Sequence, residues 1–324
     1  SRPRSRTGPG GPRASGTPAE HAPAPVSRSA PTLDIATRRS PLALAQTRTV
    51  AGALRRAGHE SELLEMVTTG DRWSAQAPPG APAPDKGLFV KELERALLDG
   101  RADLAVHSAK DLPADLPDGL EVVATPRRED PGDALIGAER LEDLPEGASV
   151  GTGSPRRAAQ LRVHRPDLRV VEIRGNVGTR VARWRDGDVD ALVLARAGLA
   201  RLGLDVRPSV LLPAATMVPA PGQGVLAIEG RVGDSAVSGA VATIDHAGAR
   251  ACLAAERATL RALGGGCQAP IGAVCGVEDD GAVLSMVGFM ALDAEGRGAR
   301  RGSLSGPVDD PEGLGERLAG VLAG

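Results

Sequence analysis

The stretch that decides the fold is LDIATRRSPLALAQTRTVAGAL, residues 33–54. Its first four residues, Leu33 to Ala36, predict a β-strand. Ser40 supplies a side-chain oxygen suited to cap a helix, and Pro41 stands at the first helical position, where a missing N–H costs nothing. The apolar side of this helix comes from Leu42, Leu44, Val50 and Leu54, and Gly58 is expected to end it. A strand that turns directly into a helix is the repeating unit of α/β folds.

The same alternation continues along the chain. A second strand is predicted at Leu63 to Val67, a loop at Ser74 to Asp85, a helix at Phe89 to Leu98 and a strand at Leu104 to Val106. A second series follows with strands at Ala148 to Gly151, Leu168 to Ile173 and Ala191 to Ala195, and helices at Ser154 to Val163, Val177 to Trp184 and Ala197 to Leu202. Alternating strands and helices predict parallel sheets with helices on both faces. Two such series predict two α/β domains with a cleft between them.

The order of elements changes in the last third of the sequence. Val225 to Glu229 is a further strand, preceded by a proline-rich crossover or hinge at residues 218–224. A helix from Ala247, three strands near Ile271, Val283 and Arg300, and a last helix from Pro311 predict a smaller α+β domain. We therefore expect domain 1 at residues 31–126 and 224–243, domain 2 at 127–223 and domain 3 at 247–324. Residues 1–30 are rich in Arg, Pro, Ser and Gly and are expected to be a disordered tail rather than a transit peptide.

Composition excludes several classes of protein. The 324 residues carry a formal net charge of -2, which gives no basic field for nucleic acid, and aromatic residues for base stacking are almost absent. No apolar run is long enough to span a membrane. Three cysteines form neither an even disulfide framework nor a zinc spacing, so we expect a reducing, cytoplasmic setting and no metal. The three lysines of the chain, Lys86, Lys91 and Lys110, fall within or directly before two short segments singled out below.

Basic and hydroxyl side chains cluster where predicted strands end. Ligands of α/β domains bind beyond the carboxyl ends of strands, where helix N-termini offer free N–H donors. Arginine binds carboxylates through two parallel hydrogen bonds. The arginines at these turns are Arg38, Arg156, Arg157, Arg174 and Arg180. Together they predict a ligand with several anionic groups, although any one of them could be an ordinary surface residue of an Arg-rich chain.

Two further side chains carry possible chemistry. Asp111 stands beside Lys110 in a basic setting that keeps a carboxylate ionised, so it could stabilise a cation or accept a ring N–H; it could equally cap a helix. Cys267 follows three glycines, and a thiol on such a loop suits covalent attachment. Cys252 on a helix and Cys275 on a strand are expected to be inert core residues.

Seven segments containing these residues occur in the order typical of one enzyme family. They are IATRRSPLAL (35–44), GLFVKELE (87–94), AVHSAKDLP (105–113), VGTGSPRR (150–157), RGNVGTR (174–180), PAPGQG (219–224) and GGCQAPIG (265–272). From residue 32 onward the sequence resembles the porphobilinogen deaminases (hydroxymethylbilane synthases). The resemblance implies two α/β domains like those of periplasmic binding proteins, with a central cleft, plus a smaller α+β domain, and it implies a monomer.

The resemblance also implies a reaction and its residues. A dipyrromethane cofactor is attached by a thioether to Cys267, four porphobilinogen molecules lose ammonia and are added in turn, and hydroxymethylbilane is released. Asp111 would hold pyrrole N–H groups and stabilise the azafulvene-type cations. Cofactor contacts would come from Ser108, Lys110, Asp111, Thr152, Ser154, Arg156 and Arg157. Substrate contacts would come from Arg38, Ser40, Lys86, Phe89, Arg174 and Arg180.

This chain departs from the family pattern at a few positions. Pro155 stands where Leu is usual, Gly153 replaces a common Ser, and Thr69 replaces a frequent Arg, which would remove one anion contact. Two other functions remain open from the sequence. One is a two-lobed anion-binding or sensor protein without catalysis, although anion binding alone requires neither Cys267 nor Asp111. The other is a redox protein that pairs Cys267 with Cys275.

Overall fold

The computed structural model describes residues 32–76, 86–265 and 269–324. Its strands are β1 (Leu33–Arg38), β2 (Ser61–Met66), β3 (Leu104–Ser108), β4 (Leu120–Ala124), β5 (Asp133–Ile136), β6 (Ser149–Gly151), β7 (Arg169–Val171), β8 (Ala191–Ala195), β9 (Ser209–Leu212), β10 (Leu226–Arg231), β11 (Ile271–Glu278), β12 (Val283–Met290) and β13 (Arg300–Pro307). Its α-helices are α1 (Pro41–Arg56), α2 (Thr69–Gln76), α3 (Lys91–Leu98), α4 (Pro155–His164), α5 (Val177–Arg185), α6 (Arg196–Arg201), α7 (Ser235–Val241), α8 (Ala247–Ala262) and α9 (Pro311–Ala323). Short 3₁₀ segments lie at Lys86–Phe89, Ala109–Asp111, Leu141–Asp143, Ala242–Ile244 and Asp279–Gly281.

The first sheet has the strand order β2-β1-β3-β10-β4. Strand β1 runs parallel to β2 and β3, whereas β10 is antiparallel to both of its neighbours. Val50 and Leu54 of α1 are fully buried in one core with Ile35 and Leu104, so the apolar side of the quoted stretch faces the sheet as its spacing predicts.

The second sheet repeats this plan with the order β7-β6-β8-β5-β9. Strand β6 is parallel to β7 and β8, and β5 is antiparallel to β8 and β9. In each sheet one antiparallel strand, β10 in the first and β5 in the second, lies next to the three parallel strands. The chain enters each of these two strands directly from the other sheet, so it crosses between the two sheets twice. The first crossing joins β4 to β5 and the second joins β9 to β10. These two crossing segments lie beside the site described below.

The third sheet is an antiparallel meander, β11-β12-β13, packed against α8 and α9. Leu284 and Met286 from β12 are buried with Leu314 and Leu318 from α9. The predicted fold class, two α/β units and a smaller α+β unit, is confirmed by these three sheets.

The helix α2 was not predicted from the sequence. It spans Thr69–Gln76 and so includes the first residues of the segment predicted to be a loop from Ser74, which corrects that prediction. The helix is capped reciprocally: Thr68 Oγ1 accepts from the Asp71 N–H at 3.2 Å and Asp71 Oδ2 accepts from the Thr68 N–H at 3.2 Å. Residues 77–85 of the predicted loop and the predicted tail lie outside the described residues.

Candidate active site

One cavity lies between the first two sheets, at the ends of β3 and β8. It has a volume of about 490 Å³, including space open to solvent. Gln46, Ser108 and Lys110 line it from the side of the first sheet, and α4, α5 and α6 line it from the other side. The predicted cleft is therefore present, with Ser108, Lys110, Arg157 and Arg180 of the predicted site along its wall.

The charged residues given for the wall of this cavity are all cations. Lys110, Arg157, Arg180 and Arg201 all line it, and its described lining includes no carboxylate. Burial, together with the like charge of Arg157, lowers the pKa of Arg180 to about 10, and Asp111 opposes that change. Burial also lowers the pKa of Arg201. Sequence reasoning missed Arg201, which lies at the end of the short helix α6 rather than at a strand-to-helix turn.

Arg156 and Arg157 meet at a buried carboxylate. Asp133 Oδ2 accepts from Arg156 at 2.8 Å, and Asp133 Oδ1 accepts from Arg157 Nε at 2.9 Å. Burial would raise the pKa of Asp133, but the two guanidinium groups outweigh it and lower the pKa to about 2. Two cations and one anion leave a net positive charge beside the cavity. Asp133 was not singled out from the sequence, because it stands more than twenty residues before its partners.

Gln223 joins the two crossing segments to the cavity. It is 1% exposed, and its Oε1 accepts from Lys110 Nζ at 3.3 Å and lies 3.5 Å from Arg157 NH2. Its Nε2 donates to Asp133 Oδ1 at 2.8 Å. Its backbone oxygen accepts from Arg128 Nε at 2.9 Å. The PAPGQG motif contains this residue, but the sequence indicated only a hinge there.

Arg128 continues this network to the third sheet. Its NH1 donates to Glu256 Oε1 of α8 at 2.6 Å and to the backbone oxygen of Cys275 at 3.2 Å. Glu256 is fully buried and also accepts from the N–H groups of Gly222 and Cys275. One buried ion pair thus connects both crossing segments with α8 and β11.

The predicted hydroxyl residues take structural positions at the ends of elements. Ser40 Oγ accepts from the Ala43 N–H at 3.3 Å and caps α1, and Ser154 Oγ accepts from the Arg157 N–H at 3.5 Å and caps α4. Ser108 accepts from Gln46 Nε2 at 2.7 Å. Thr152 is buried, and its Oγ1 accepts from the Ser154 N–H at 3.2 Å. The caps confirm the helix starts that Ser40 and Ser154 predicted.

Arg38 is engaged by two neighbours. Its guanidinium pairs with Asp71, with Nε at 3.2 Å from Oδ1, and lies over the Phe89 ring with its Cζ 4.4 Å from the centroid. Phe89 ends the 3₁₀ segment Lys86–Phe89, and α3 begins at Lys91, so the helix predicted from Phe89 starts two residues later. The side chain of Lys86 is outside the described part of the chain.

Arg174 precedes α5 on the opposite side of the cavity. Its Nε and NH2 donate to Glu172 Oε1 at 2.8 and 2.6 Å. Its Cζ lies 5.5 Å from the centroid of the Trp73 ring. Trp73 belongs to α2, whose Asp71 pairs with Arg38 at the end of β1, so this contact joins the two α/β units.

A second cavity of about 460 Å³ adjoins the first, and Lys110 lines both. Ser154 and Arg156 line it, and so do Ala269 and Ile271, which follow the segment 266–268. Cys267 itself lies outside the described residues. The chain therefore brings residues that follow the GGC motif and three predicted cofactor-binding residues to one cavity.

The other two cysteines lie in the core of the third sheet. Cys252 and Cys275 are buried free thiols. The hydrogen bond between them lowers the pKa of the Cys252 thiol and, together with burial, raises that of Cys275. Cys267, the partner that the redox hypothesis gives to Cys275, lies outside the described residues.

Asp111 ends the 3₁₀ segment that follows β3, next to Lys110. It is half-buried, and its charge acts on Arg180 across the cleft.

None of the helices within the described ranges combines the length and the apolar composition needed to cross a bilayer.

Solved structures with a similar arrangement include a periplasmic substrate-binding protein from Coxiella burnetii. It is 15% identical and aligns with 66% of this chain and 92% of its own, with a TM-score of 0.40. A nutrient binding protein from Burkholderia cenocepacia bound to methionine aligns with 66% of this chain and 91% of its own at 14% identity, with a TM-score of 0.39.

Sequence comparisons are far more specific. Residues 33–239 match the family model described as porphobilinogen deaminase, dipyromethane cofactor binding domain, and residues 250–324 match the model of the porphobilinogen deaminase C-terminal domain. Porphobilinogen deaminase of Desulforudis audaxviator is 50% identical over 289 residues, covering 88% of this chain and 92% of the relative. Porphobilinogen deaminase of Acidothermus cellulolyticus is 49% identical over 297 residues, covering 90% of this chain and 88% of the relative. Because the matches extend over both α/β units and the third sheet, this chain belongs to the porphobilinogen deaminase family.

Proposed function

We propose that this chain catalyses the reaction of its family: it joins four porphobilinogen molecules in turn onto a covalently held dipyrromethane, with loss of ammonia, and releases hydroxymethylbilane. One observation carries the proposal. Four cations line a cleft whose described lining holds no carboxylate, and Asp111 follows one of them, Lys110, and interacts by charge with another, Arg180. The acetate and propionate groups of linked pyrroles are the polyanionic ligand that such a wall requires.

The residues present fit the dipyrromethane. We propose that Ser108, Lys110, Asp111, Thr152, Ser154, Arg156 and Arg157 hold it. When bound, the dipyrromethane supplies the electron-rich pyrrole carbon to which the next unit is joined. Arg157 contributes its charge from a fixed position, because Asp133 and the Val193 carbonyl oxygen accept its hydrogen bonds. Lys110 is oriented by Gln223.

We assign the covalent attachment to Cys267. Support comes from the flanking residues Ala269 and Ile271, which line the cavity shared with Lys110 and Arg156. The two other thiols are buried in the third core, away from solvent, which makes them poor nucleophiles.

Asp111 is the proposed catalytic residue. Its carboxylate can accept a hydrogen bond from a pyrrole N–H and can stabilise the positive charge that develops on porphobilinogen as ammonia leaves. Arg180 lies near enough to Asp111 for their charges to interact. For the incoming substrate we propose Arg38, Ser40, Lys86, Phe89, Arg174 and Arg180, with the arginines directed to its carboxylates.

Three broader assignments belong to the same proposal. The domains are taken to be residues 31–126 with 224–243, residues 127–223, and residues 247–324. The protein is taken to act as a monomer in the cytoplasm.

The test is the intact mass of the purified protein before and after brief exposure to porphobilinogen. We expect a mass excess of two linked pyrroles, mapped to Cys267, that grows by single pyrrole units. Cys267→Ser should lack the excess, whereas Cys252→Ser, the matched control, should retain it. Asp111→Ala should lose nearly all turnover. A chain that never gains pyrroles yet binds porphobilinogen would overturn the proposal in favour of the sensor protein.

A further inference from the structure

Helix α2 makes contacts with two arginines, one from each α/β unit. Asp71 pairs with Arg38, whose side chain is 24% exposed, and Trp73 lies against Arg174. The two α2 residues are two positions apart, and the two arginines end β1 and precede α5, respectively. One short helix therefore contacts two of the cations assigned above to substrate carboxylates.

The contact with Arg38 resembles the binding of a ligand carboxylate. Both oxygens of Asp71 lie near Arg38 Nε, at 3.2 and 3.3 Å, and the Phe89 ring covers the guanidinium face. Burial works against the Asp71 charge, but hydrogen bonds from Arg38 and Thr68 lower the pKa of the carboxyl below its usual value. Asp71 is thus an ionised carboxylate on a predicted substrate-binding arginine.

The position of α2 is fixed by its own neighbours. Glu92 Oε1 accepts from the Thr69 N–H at 2.8 Å and from Thr69 Oγ1 at 2.5 Å. Gly70 lies so close to Phe89 that a Cβ there would overlap the ring. Thr69 is the position at which the family frequently has Arg, and here it anchors the helix to Glu92 instead of offering a charge to the cleft.

We propose that α2 is an internal competitor for the substrate: Asp71 occupies Arg38 and the Trp73 ring covers Arg174, and porphobilinogen binds by displacing both contacts. This inference rests on the proposed function, since it concerns the same site. Each contact is of modest strength, because a partly exposed ion pair and a single cation–π contact are both weak. Substrate carboxylates can therefore replace them, at the cost of a raised KM.

Trp73 makes the displacement visible. The chain has two tryptophans, Trp73 and Trp184, and Trp184 donates from Nε1 to the Asp190 backbone oxygen at 3.2 Å, on the far side of α5. In holoenzyme carrying Trp184→Phe, emission reports Trp73 alone. We expect addition of porphobilinogen to change the wavelength and intensity of this emission, with a midpoint near KM. The double variant with Trp73→Phe provides the blank.

Two substitutions test the competition directly. Asp71→Asn removes the charge from Arg38, and we expect KM for porphobilinogen to fall about two- to fivefold with kcat unchanged or lower. Trp73→Leu should lower KM by a similar factor, and Trp73→Phe, which keeps a ring, should stay near the wild-type value. The matched control is Asp188→Asn, which breaks the exposed pair with Arg183 and should leave KM unchanged.

The outcomes separate the two proposals. If the protein elongates its pyrrole chain while Trp73 emission stays constant, or if Asp71→Asn raises KM, the competitor role is wrong and the proposed function stands. If no pyrroles are added at all, the proposed function fails first. A fall in KM together with a substrate-dependent emission change supports the competitor role.

Discussion

Glu94 gives the sharpest prediction about stability. This α3 residue is 6% exposed, and its Oε1 has no hydrogen-bond partner among the described residues. Burial and the neighbouring charge of Glu229 raise its pKa from 4.5 to about 7, while His107 and Lys91 oppose the change. Glu229 lies 2.9 Å from His107 Nε2, and both are buried. The protein thus contains a carboxyl group that is more easily protonated when folded than when unfolded.

The magnitude follows from the two pKa values. Each pKa unit by which the folded value exceeds the unfolded value corresponds to about 1.4 kcal/mol, so the shift of Glu94 contributes about 3 kcal/mol to the free energy of unfolding. A raised pKa means that this stabilisation is fully present below pH 4.5 and is lost as the pH rises through about 7. The contribution of Glu94 to the free energy of unfolding should therefore fall by about 2 to 3 kcal/mol between pH 5 and pH 8.

Glu94→Gln removes this titration and keeps the shape of the side chain. We expect the variant to gain stability relative to the wild type as the pH rises, by about 2 to 3 kcal/mol over that interval. The assay is urea unfolding of the holoenzyme at each pH unit from 5 to 8, with Glu62→Gln on the exposed side of β2 as control. A difference between Glu94→Gln and the wild type that does not vary with pH would refute the reasoning.

Two further buried acids, Asp133 and Glu256, are each expected to matter more for stability than an exposed acid used as control. Asp133→Asn should lower the free energy of unfolding in urea at pH 7 by about 3 to 5 kcal/mol, because two buried guanidinium groups lose their counter-ion, whereas Asp188→Asn in an exposed pair should cost less than about 1 kcal/mol. The pKa of Asp133 is lowered from 3.8 to about 2, so this part of its contribution is present above pH 3.8 and is lost as the pH falls through 2. The gap between variant and wild type should therefore narrow by about 2 kcal/mol between pH 7 and pH 2, and a constant gap would contradict this. Glu256→Ala should lower the urea midpoint of unfolding and raise KM, because Arg128, which binds the Gln223 that orients Lys110, loses its ion pair. The control Glu278→Ala, on the surface of β11, should change neither quantity.

Local signals in the sequence predicted most of the regular structure. Ser40 and Ser154 cap their helices as predicted, and each is followed by a proline at the first helical position. The reciprocal cap of α2, Thr68 with Asp71, has the same kind of signal, but the helix has no apolar repeat to accompany it. Strands β4, β5 and β9 were missed because none of them belongs to a strand–turn–helix unit.

The site was predictable in its charges but not in its pairings. The arginines at strand ends could be read from the sequence because parallel strands bring their carboxyl ends to one edge. That Arg157 shares Asp133 with Arg156, or that Asp71 pairs with Arg38, depends on segments that meet only after folding. Such pairings have no local signature.

The buried acids explain how a cleft this rich in cations is tolerated. Asp133 and Glu256 are both fully buried, and neither is among the described residues that line the two cavities. Asp133 pairs with the lining residues Arg156 and Arg157 from behind, and Glu256 pairs with Arg128. Because Gln223 binds both Lys110 and the Arg128 that Glu256 holds, the position of the cleft lysine is set from the third sheet. The positive wall is therefore held in place by anions outside the cavity, which leaves its charge available for carboxylates that arrive with the ligand.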